Sequence, residues 1–276
     1  MMNVQCRLRF IMNLQGWAIM YQNAGKVLVR RFVYAVVVGF LAAQFGCRQK
    51  ANELPQYFLW AWERPEDLNF LAGTGFGVAF LAQTVALEGD AARRRPRLQP
   101  LKVPPQTYLM AVTRIAASRE NTPALSAAQL EECAALVVAT TQLPNVRAVQ
   151  IDFDVAVSQR DFYRQLLTRV RALLPAAYPL SMTALASWCL GDTWLEGLPV
   201  FEAVPMAFRL GADNENVRRY LAGGTDYRAP LCQHSYGLAL DEPLKAKFRP
   251  QRRFYFFNTR AWQAEDVPVE IGRAHV

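Results

Sequence analysis

One strand in the middle of the chain carries two aspartates within an otherwise apolar run. Residues 146–155 read VRAVQIDFDV. Because side chains alternate between the two faces of a strand, Gln150, Asp152 and Asp154 share one face and the aliphatic side chains with Phe153 share the other. A polar, helix-forming segment follows at once. One face of the strand must therefore meet helices while the other meets a cavity, and a parallel barrel provides both surroundings.

Strand-like and helical segments alternate along the rest of the chain. Helical periodicity begins at Ser126, where Gln129 completes a capping-box pattern, and again after Ser158, where it runs to Pro175. Alternation of this kind favours parallel pairing with right-handed crossovers. We predict an α/β fold, a (β/α)8 TIM-like barrel with reduced helices over residues 57–269; an open doubly wound sheet is the alternative. The eight predicted strands are residues 57–62, 76–87, 107–115, 146–155, 180–188, 202–210, 231–240 and 252–260.

The connections between strands are predicted less regularly. Short helices are expected at residues 65–71, 213–222 and 242–248. Residues 89–105 read GDAARRRPRLQPLKVPP, and their prolines and arginines predict a solvated loop.

The first 46 residues have the pattern of a secretion signal. Arg30 and Arg31 precede an apolar run of about fifteen residues, which ends at Cys47. This order resembles a bacterial lipoprotein signal, in which Cys47 becomes the lipidated first residue. The alternative is a transmembrane anchor, although the run is shorter than the roughly 20 residues that a span requires. We therefore expect a signal peptide over 1–46, a tether over 47–56, and a protein that is lipid-anchored in the bacterial envelope and faces the periplasm.

Charge and cysteine content exclude several classes of function. The net charge is +8, but the first 46 residues hold five basic and no acidic residues, so their removal leaves +3 and nucleic acid is not an expected partner. Beyond the leader, Cys133, Cys189 and Cys232 allow at most one disulfide and show no zinc spacing, so no metal or cofactor is predicted. The final EIGRAHV resembles a translated sequencing adapter, which predicts a non-native tail over 270–276 and a chain truncated at its C-terminus.

The carboxyl ends of the predicted strands contain the candidate site. In a TIM-like barrel the loops at this end converge on one cavity. Asp152 and Asp154 are the catalytic candidates, with Glu63 as a carboxylate across the cavity and Asp192 as its alternative. The reading without catalysis is that Asp154 caps the loop and Asp152 pairs with Arg114. Substrate-binding candidates at the other strand ends are Trp60, Trp62, Arg114, Trp188, Arg209, Tyr236 and Asn258.

Three segments carry a resemblance to a known family. AVQIDFD, LSMTALASWC and AVPMAFRLG occur in this order after a tryptophan-rich first strand. From about Tyr57 to Trp262 the chain resembles the bacterial family catalogued as domain of unknown function 3142, which implies a glycosidase-type barrel without an established activity. The IDFD segment is also similar to the chitinase-type signature D-x-x-D-x-D-x-E. Asp152 and Asp154 match that signature, whereas Val149 replaces its first Asp and Ala156 replaces the Glu that acts as the acid.

Two functions follow from these observations. The first is a lipid-anchored glycoside hydrolase-like protein that acts on a carbohydrate or peptidoglycan-type glycan through the carboxylate pair. The second is a non-catalytic barrel that binds glycan or another envelope protein. The retained Asp152 and Asp154 favour the first, and Ala156 favours the second.

Overall fold

The computed structural model describes residues 54–211 and 214–267, which contain a closed eight-stranded parallel barrel of the TIM type. The predicted leader, Cys47, most of the tether and the C-terminal tail lie outside the described residues. The barrel strands are β1 (Tyr57–Ala61), β3 (Gly77–Glu88), β6 (Tyr108–Ala117), β7 (Val146–Asp152), β8 (Leu180–Leu185), β9 (Glu202–Met206), β10 (Ser235–Ala239) and β11 (Arg253–Phe257).

The pairing of the first strand closes the sheet. The strand β1 pairs in parallel with β11 on one side and with β3 on the other. The remaining pairs, β3–β6, β6–β7, β7–β8, β8–β9, β9–β10 and β10–β11, are also parallel. All eight predicted strands are thus confirmed, and the open-sheet alternative is wrong.

The helices are few, as predicted, but not all lie where the sequence placed them. They are α1 (Ala127–Ala139), α2 (Arg160–Leu173), α3 (Trp188–Gly191) and α4 (Asn214–Ala222). Ser126 caps α1, because its hydroxyl accepts a hydrogen bond from the Gln129 backbone N–H. The helix predicted after Ser158 is α2, which begins at Arg160 because residues 157–159 form a 3-10 turn.

Two predicted short helices are absent. Residues 65–71 form a short strand β2 (Glu66–Asp67) and a 3-10 turn (Asn69–Leu71), because β2 pairs with β5 (Leu101–Lys102) in a separate two-stranded sheet. Residues 242–248 have no helix, and Phe248 instead packs edge-on against Tyr236. In both places tertiary contacts outweigh a weak helical pattern.

The arginine-rich connection is a strand rather than the predicted loop. Residues Ala91–Pro96 form β4, which pairs antiparallel with the last half of β3. The twelve-residue β3 extends past the barrel, where its backbone N–H and C=O groups need a partner. Gly89, at φ 53°, lies in the turn that returns the chain along it. The result is a three-stranded extension, β4–β3–β6, beyond the barrel mouth.

Each barrel strand divides its side chains between two cores. The outer core packs the strands against the helices through side chains such as Val149, Ile151 and Phe153. The inner core fills the barrel and consists of Phe58, Trp60, Ala79, Tyr108, Met110, Val112, Ala148, Val204 and Tyr255. The predicted faces of β7 are therefore confirmed for the strand itself: the aliphatic face meets helices and Gln150 lies inside, fully buried.

Two further features concern the predicted cysteines and membrane association. Cys189 and Cys232 form a disulfide with their Cα atoms 5.9 Å apart, and Cys133 is a buried free thiol. Within residues 54–211 and 214–267, no helix has the length and apolar character needed to cross a bilayer.

The barrel interior predicts a strong dependence on one glycine. A Cβ atom at Gly77 would lie 2.4 Å from a ring carbon of Phe58, far inside van der Waals contact. We expect Gly77→Ala to lower the free energy of unfolding by about 1–3 kcal/mol, as overpacking does, measured by urea denaturation. Gly191→Ala is the matched control, because no atom lies within 4 Å of its added Cβ. Equal stability of both variants and the parent would contradict the close packing at Gly77.

Candidate functional site

A cavity of about 200 Å³ opens at the carboxyl end of the barrel. We call it the mouth cavity. It contains the predicted aspartates, four predicted substrate-binding residues and five residues that were not predicted. Its lining consists of Trp60, Trp62, Arg114, Asp152, Asp154, Thr183, Leu185, Met206, Phe208, Arg209 and Phe257.

Polar groups inside the barrel form hydrogen bonds that support the floor of the mouth cavity. The Trp60 indole N–H donates to Gln150 Oε1 at 2.9 Å, and the Gln150 amide donates to Ser181 Oγ at 3.0 Å. Trp60 itself is only 2% exposed. The Trp60 ring therefore forms the floor of the cavity, and its N–H is already used in a hydrogen bond. It is too buried to stack on a ligand as an exposed ring would.

Asp152 is the buried member of the carboxylate pair. It is 7% exposed; its Oδ1 accepts a hydrogen bond from the Thr183 hydroxyl at 2.7 Å, and its Oδ2 lies 3.9 Å from Arg114 Nε. Burial and the negative charge of Asp154 raise the pKa of Asp152 to about 6, against the opposing effects of Thr183 and Arg114. Arg114 compensates weakly because its side chain is half exposed and its contact is long.

Asp154 lies two residues beyond Asp152, at the rim, and its side chain is exposed. Partial desolvation at the rim raises its pKa from the ordinary value, and Arg114 acts in the opposite direction. The non-catalytic alternative predicted that Asp152 pairs with Arg114, and this contact is present. Both aspartates nevertheless have raised pKa values. Perturbation of this kind in a cleft is typical of functional carboxylates.

The pair also borders a second space, which we call the side cleft. This cleft has a volume of about 430 Å³ and lies between the end of β6 and the loop that follows β7. Arg114, Asp152 and Asp154 line both the side cleft and the mouth cavity. Ala156 lines the side cleft, so the position of the missing chitinase-type Glu is at the site. The carboxylates therefore lie between two concave surfaces.

Aromatic rings form the wall of the mouth cavity opposite the side cleft. Phe208 stacks on Phe257 with ring centroids 5.3 Å apart, and Trp62 meets the Phe257 ring edge-on at 6.2 Å. The Arg209 guanidinium lies over the Phe257 ring at 5.1 Å. Arg209 has a φ of 51°, and its backbone N–H donates to Glu242 at 2.9 Å. A non-glycine residue in the left-handed region at a cavity rim is typical of functional loops.

The structure does not bring Glu63 into the site. Its exposed carboxylate accepts hydrogen bonds from the backbone N–H groups of Leu98 and Gln99, at 3.1 and 3.3 Å, and lines neither cavity. The alternative, Asp192, pairs with Arg160 at 2.5 Å and also lies outside both linings. The expected placement of a carboxylate across the cavity is therefore wrong for both residues.

Three predicted substrate-binding residues also lie elsewhere. Trp188 packs edge-on against Trp194 in the outer core. Tyr236 points outward from β10, where its hydroxyl accepts hydrogen bonds from Arg249 and Arg252. Asn258 is buried and donates to Asp266 at 3.2 Å. Trp188 and Asn258 lie near the carboxyl ends of their strands and Tyr236 lies near the amino end of β10, and all three are on the side of the sheet away from the barrel interior.

Five lining residues were missed, and some had a usable signal. The pairing of Gln150 with Ser181 places Thr183 beside Asp152, two residues further along the neighbouring strand. The alternation in LSMTAL carries this information once β7 is oriented. Phe257 precedes the predicted Asn258 by one residue, so the prediction chose the wrong face. Leu185, Met206 and Phe208 had no distinguishing sequence signal.

The described residues contain no group of three or more His, Cys, Asp or Glu side chains placed to hold a metal ion.

Comparisons with known proteins are sparse. No family model matches the sequence, and no curated protein matches it. Among solved structures, the chain is similar to the spore cortex-lytic enzyme SleL of Bacillus cereus, with 17% identity and a TM-score of 0.44. The match covers 68% of this chain and 52% of that chain, so this chain spans about half the length of that structure.

The raised pKa of Asp152 predicts the pH dependence of stability. Between about pH 4 and pH 6 the folded state holds a proton that the unfolded state has released, since the carboxyl pKa rises from 3.8 to about 6 on folding. The resulting stabilisation is present below pH 4 and is lost as pH rises through about 6. Asp152→Asn removes this loss while still accepting the Thr183 hydrogen bond. We expect it to raise the free energy of unfolding at pH 8, relative to pH 4, by up to about 3 kcal/mol.

Urea denaturation of the parent and variant at both pH values measures this difference. Asp90→Asn, an exposed change in the β3–β4 turn, is the control and should leave the parent's pH dependence unchanged. Identical pH dependence in the parent and Asp152→Asn would show that Asp152 ionises normally.

Proposed function

We propose that this protein is a glycoside hydrolase-like barrel that acts on a carbohydrate through Asp152 and Asp154. The observation that carries the proposal is a buried carboxyl with a pKa of about 6 beside a second, exposed carboxyl, between two cavities at the barrel mouth. Paired carboxyls whose surroundings favour retention of a proton near neutrality are the groups that glycosidic bond cleavage uses. The aromatic wall of Trp62, Phe208 and Phe257 offers apolar surface to the C–H faces of sugar rings.

Asp154 is assigned the role of proton donor. Its side chain is exposed and borders both cavities, so a bond lying across the rim can reach it. Asp152 is its partner, whose own pKa is raised to about 6 by burial and by the charge of Asp154. Partial desolvation raises the pKa of Asp154 as well. Arg114, between the two cavities, orients the pair and limits the rise of both pKa values.

The absence of a facing carboxylate restricts the reaction class. Asp152 and Asp154 are the only carboxylates among the described residues that line the two cavities. Retaining and inverting enzymes usually need a second carboxylate across the cavity, about 5 to 10 Å away. A 2-acetamido sugar supplies its own nucleophile instead, because its amide oxygen can attack the anomeric carbon. We therefore propose a glycan that contains 2-acetamido sugars, such as a peptidoglycan-type glycan.

The proposed cleavage of the glycosidic bond has two steps. Asp154 donates a proton to the glycosidic oxygen, the bond between that oxygen and the anomeric carbon breaks, and the acetamido oxygen closes onto the carbon as a cyclic oxazolinium. Water then opens this ring and gives one proton back to Asp154. The product is a free reducing sugar with the anomeric configuration retained.

We further propose that the protein is lipid-anchored in the cell envelope through Cys47. The supporting observations are the basic pair, apolar run and cysteine of the leader, together with the Cys189–Cys232 disulfide. Disulfides persist in oxidising compartments such as the periplasm and are rare in the cytosol. Membership in the family catalogued as domain of unknown function 3142 remains a prediction, carried by the three quoted segments.

A second candidate function is glycan binding without catalysis. Ala156 lines the side cleft at the position where the chitinase-type signature has its acid, so the residue on which that mechanism depends is absent. The same cavities and aromatic wall would hold a sugar without cleaving it. Turnover measurements distinguish the two candidates.

The hydrolase proposal predicts a selective loss of turnover in one variant. Asp154→Asn should lower the release of reducing ends from N-acetylchito-oligosaccharides or peptidoglycan by at least about a hundredfold, because a general acid is lost. Binding of the same oligosaccharide, measured by calorimetry, should change less than about threefold. Turnover of the parent should fall as pH rises above about 6, where Asp152 loses its proton and its negative charge appears beside Asp154. Asp90→Asn is the control for both measurements.

If Asp154→Asn cleaves the best substrate as fast as the parent, the pair is not catalytic. If neither protein cleaves any glycan but both bind one, the binding function takes its place.

The anchor proposal predicts a change in membrane association. Cys47→Ala in the full chain should abolish incorporation of radiolabelled palmitate and release the protein from the membrane fraction. Cys6→Ala, another cysteine within the leader region, should leave both unchanged. Retention in the membrane without label would instead support an uncleaved membrane span.

A further inference from the structure

The sheet extension beside the carboxylate pair has one exposed, basic face. In the extension β4–β3–β6, Thr84 lies opposite Arg95 on β4 and opposite Arg114 on β6. Paired residues of neighbouring strands share a face, so these three side chains form one row. The next row holds Arg93, Ala86 and Ala116. We call this face the arginine shelf; it consists of Thr84, Ala86, Arg93, Arg95, Arg114 and Ala116.

The opposite face of the same strands is packed and provides an internal comparison. Val85, Leu87 and Ala92 belong to the outer core. Arg94, between the two shelf arginines, donates to Gln83 at 2.7 Å, and Gln83 in turn donates to a backbone carbonyl of α1. Arg94 is exposed as well, but its Nε–H is used in a hydrogen bond to the buried Gln83, whereas Arg93 and Arg95, with side chains 66% and 72% exposed, pair with the carboxylate of Glu88.

The shelf continues the site rather than lying apart from it. Arg114 belongs to the shelf, the side cleft and the mouth cavity at once, and Ala116 belongs to the shelf and the side cleft. Small side chains lie between the arginines, and two strand spacings separate β4 from β6 by about 10 Å. An extended chain of sugar rings leaving the carboxylate pair through the side cleft would therefore pass over a flat floor with guanidinium groups along its edges.

The charge on the shelf determines what it can bind. Glu88 lies beyond the second row and pairs with Arg93 at 3.1 Å and with Arg95 at 3.8 Å. One carboxylate cannot use the ten N–H donors of two guanidinium groups, so most of them face solvent. Planar guanidinium groups bind carboxylates in pairs of hydrogen bonds. The alternative role of these arginines is protective, because charged side chains on an edge strand prevent edge-to-edge aggregation.

We propose that the arginine shelf is a subsite for the carboxylate groups of an anionic glycan, which extends from the Asp152 and Asp154 site. This inference rests on the proposed function of that site and specifies its substrate class as a glycan that carries both 2-acetamido sugars and carboxylates. Neutral glycans of the same length would bind only through the mouth cavity and side cleft.

The test compares two probes on the full chain by calorimetry. The first probe is a hyaluronan oligosaccharide, which alternates 2-acetamido sugars with uronic acids, and the second is a neutral N-acetylchito-oligosaccharide of equal length. The double variant Arg93→Gln/Arg95→Gln should weaken binding of the hyaluronan oligosaccharide about tenfold, from the loss of two charge-assisted contacts. Binding of the neutral probe should stay within about twofold of the parent.

Matched variants separate the subsite from general charge effects. Arg169→Gln/Arg219→Gln removes two exposed arginines that also pair with glutamates, and it should leave hyaluronan binding unchanged. Arg93→Lys/Arg95→Lys should recover only part of the lost affinity, because the positive charge remains but the paired hydrogen bonds of the planar guanidinium groups are lost. Equal weakening by the two glutamine variants would show a non-specific charge effect and overturn the proposal. So would unchanged hyaluronan binding, or self-association of the Arg93→Gln/Arg95→Gln variant without a change in affinity.

Failure of the subsite and failure of the hydrolase function give different results. If shelf variants bind hyaluronan normally while Asp154→Asn loses turnover, the subsite is wrong and the hydrolase function stands. If the parent cleaves no glycan but loses hyaluronan binding on removal of Arg93 and Arg95, the hydrolase function is wrong and the anionic subsite stands.

Discussion

The closed parallel sheet imposes one constraint on every strand: half of its side chains must fit inside a narrow barrel while the other half meets helices. Inside the barrel, large rings are accommodated only where a neighbour is small. Gly237 has no side chain because a Cβ there would lie 2.9 Å from the Trp60 indole, and Gly77 has the same relation to Phe58. The same alternation of side chains between the two faces also separates polar from apolar residues. It places Asp152 on the inner face of β7, at the carboxyl end of the strand.

Most polar groups inside the barrel have a partner, since burial without a hydrogen bond costs about 1–3 kcal/mol; the buried Ser235 hydroxyl is an exception. Trp60, Gln150 and Ser181 satisfy one another, and Tyr255 and Arg253 both donate to the buried carboxylate of Glu202, at 2.6 and 3.1 Å. Asp152 has fewer compensating contacts than Glu202. It has one short hydrogen bond and a distant, half-exposed cation, so the negative charge is under-compensated and the proton is held to higher pH. The interior thus contains two different carboxylates: Glu202, which has two close donors, and Asp152, whose charge is less well compensated.

The sequence predicted the strands and the faces of β7 because both depend on local alternation, which a single chain displays. It predicted Asp152 and Asp154 at the mouth for the same reason, and it predicted Arg114, Trp60, Trp62 and Arg209 there from their positions at strand ends. It failed for Trp188 and Asn258, because the end of a strand fixes depth along the barrel axis but not whether a side chain points inward. It failed for Tyr236 because β10 begins only at Ser235, which places Tyr236 near the amino end of the strand. Glu63 failed for a different reason: its partners are the backbone N–H groups of residues 98 and 99, in a connection whose strand pairing was not recognised.

The connection formed by residues 89–105 also makes the two sides of the site chemically different. Prolines and arginines in residues 89–105 indicated a loop, since neither suits the middle of a sheet. As an edge strand, however, β4 tolerates both: Pro96 ends it, and Arg93 and Arg95 occupy its exposed face. The pairing of β4 with β3 raises a basic surface on one side of the carboxylates, while Trp62, Phe208 and Phe257 form an apolar wall on the other. A ligand that crosses the rim meets two chemically different surfaces, so its two ends are not interchangeable. A polymer with an anionic group on only some of its residues would therefore bind in one direction and one register, which fixes the bond presented to Asp154.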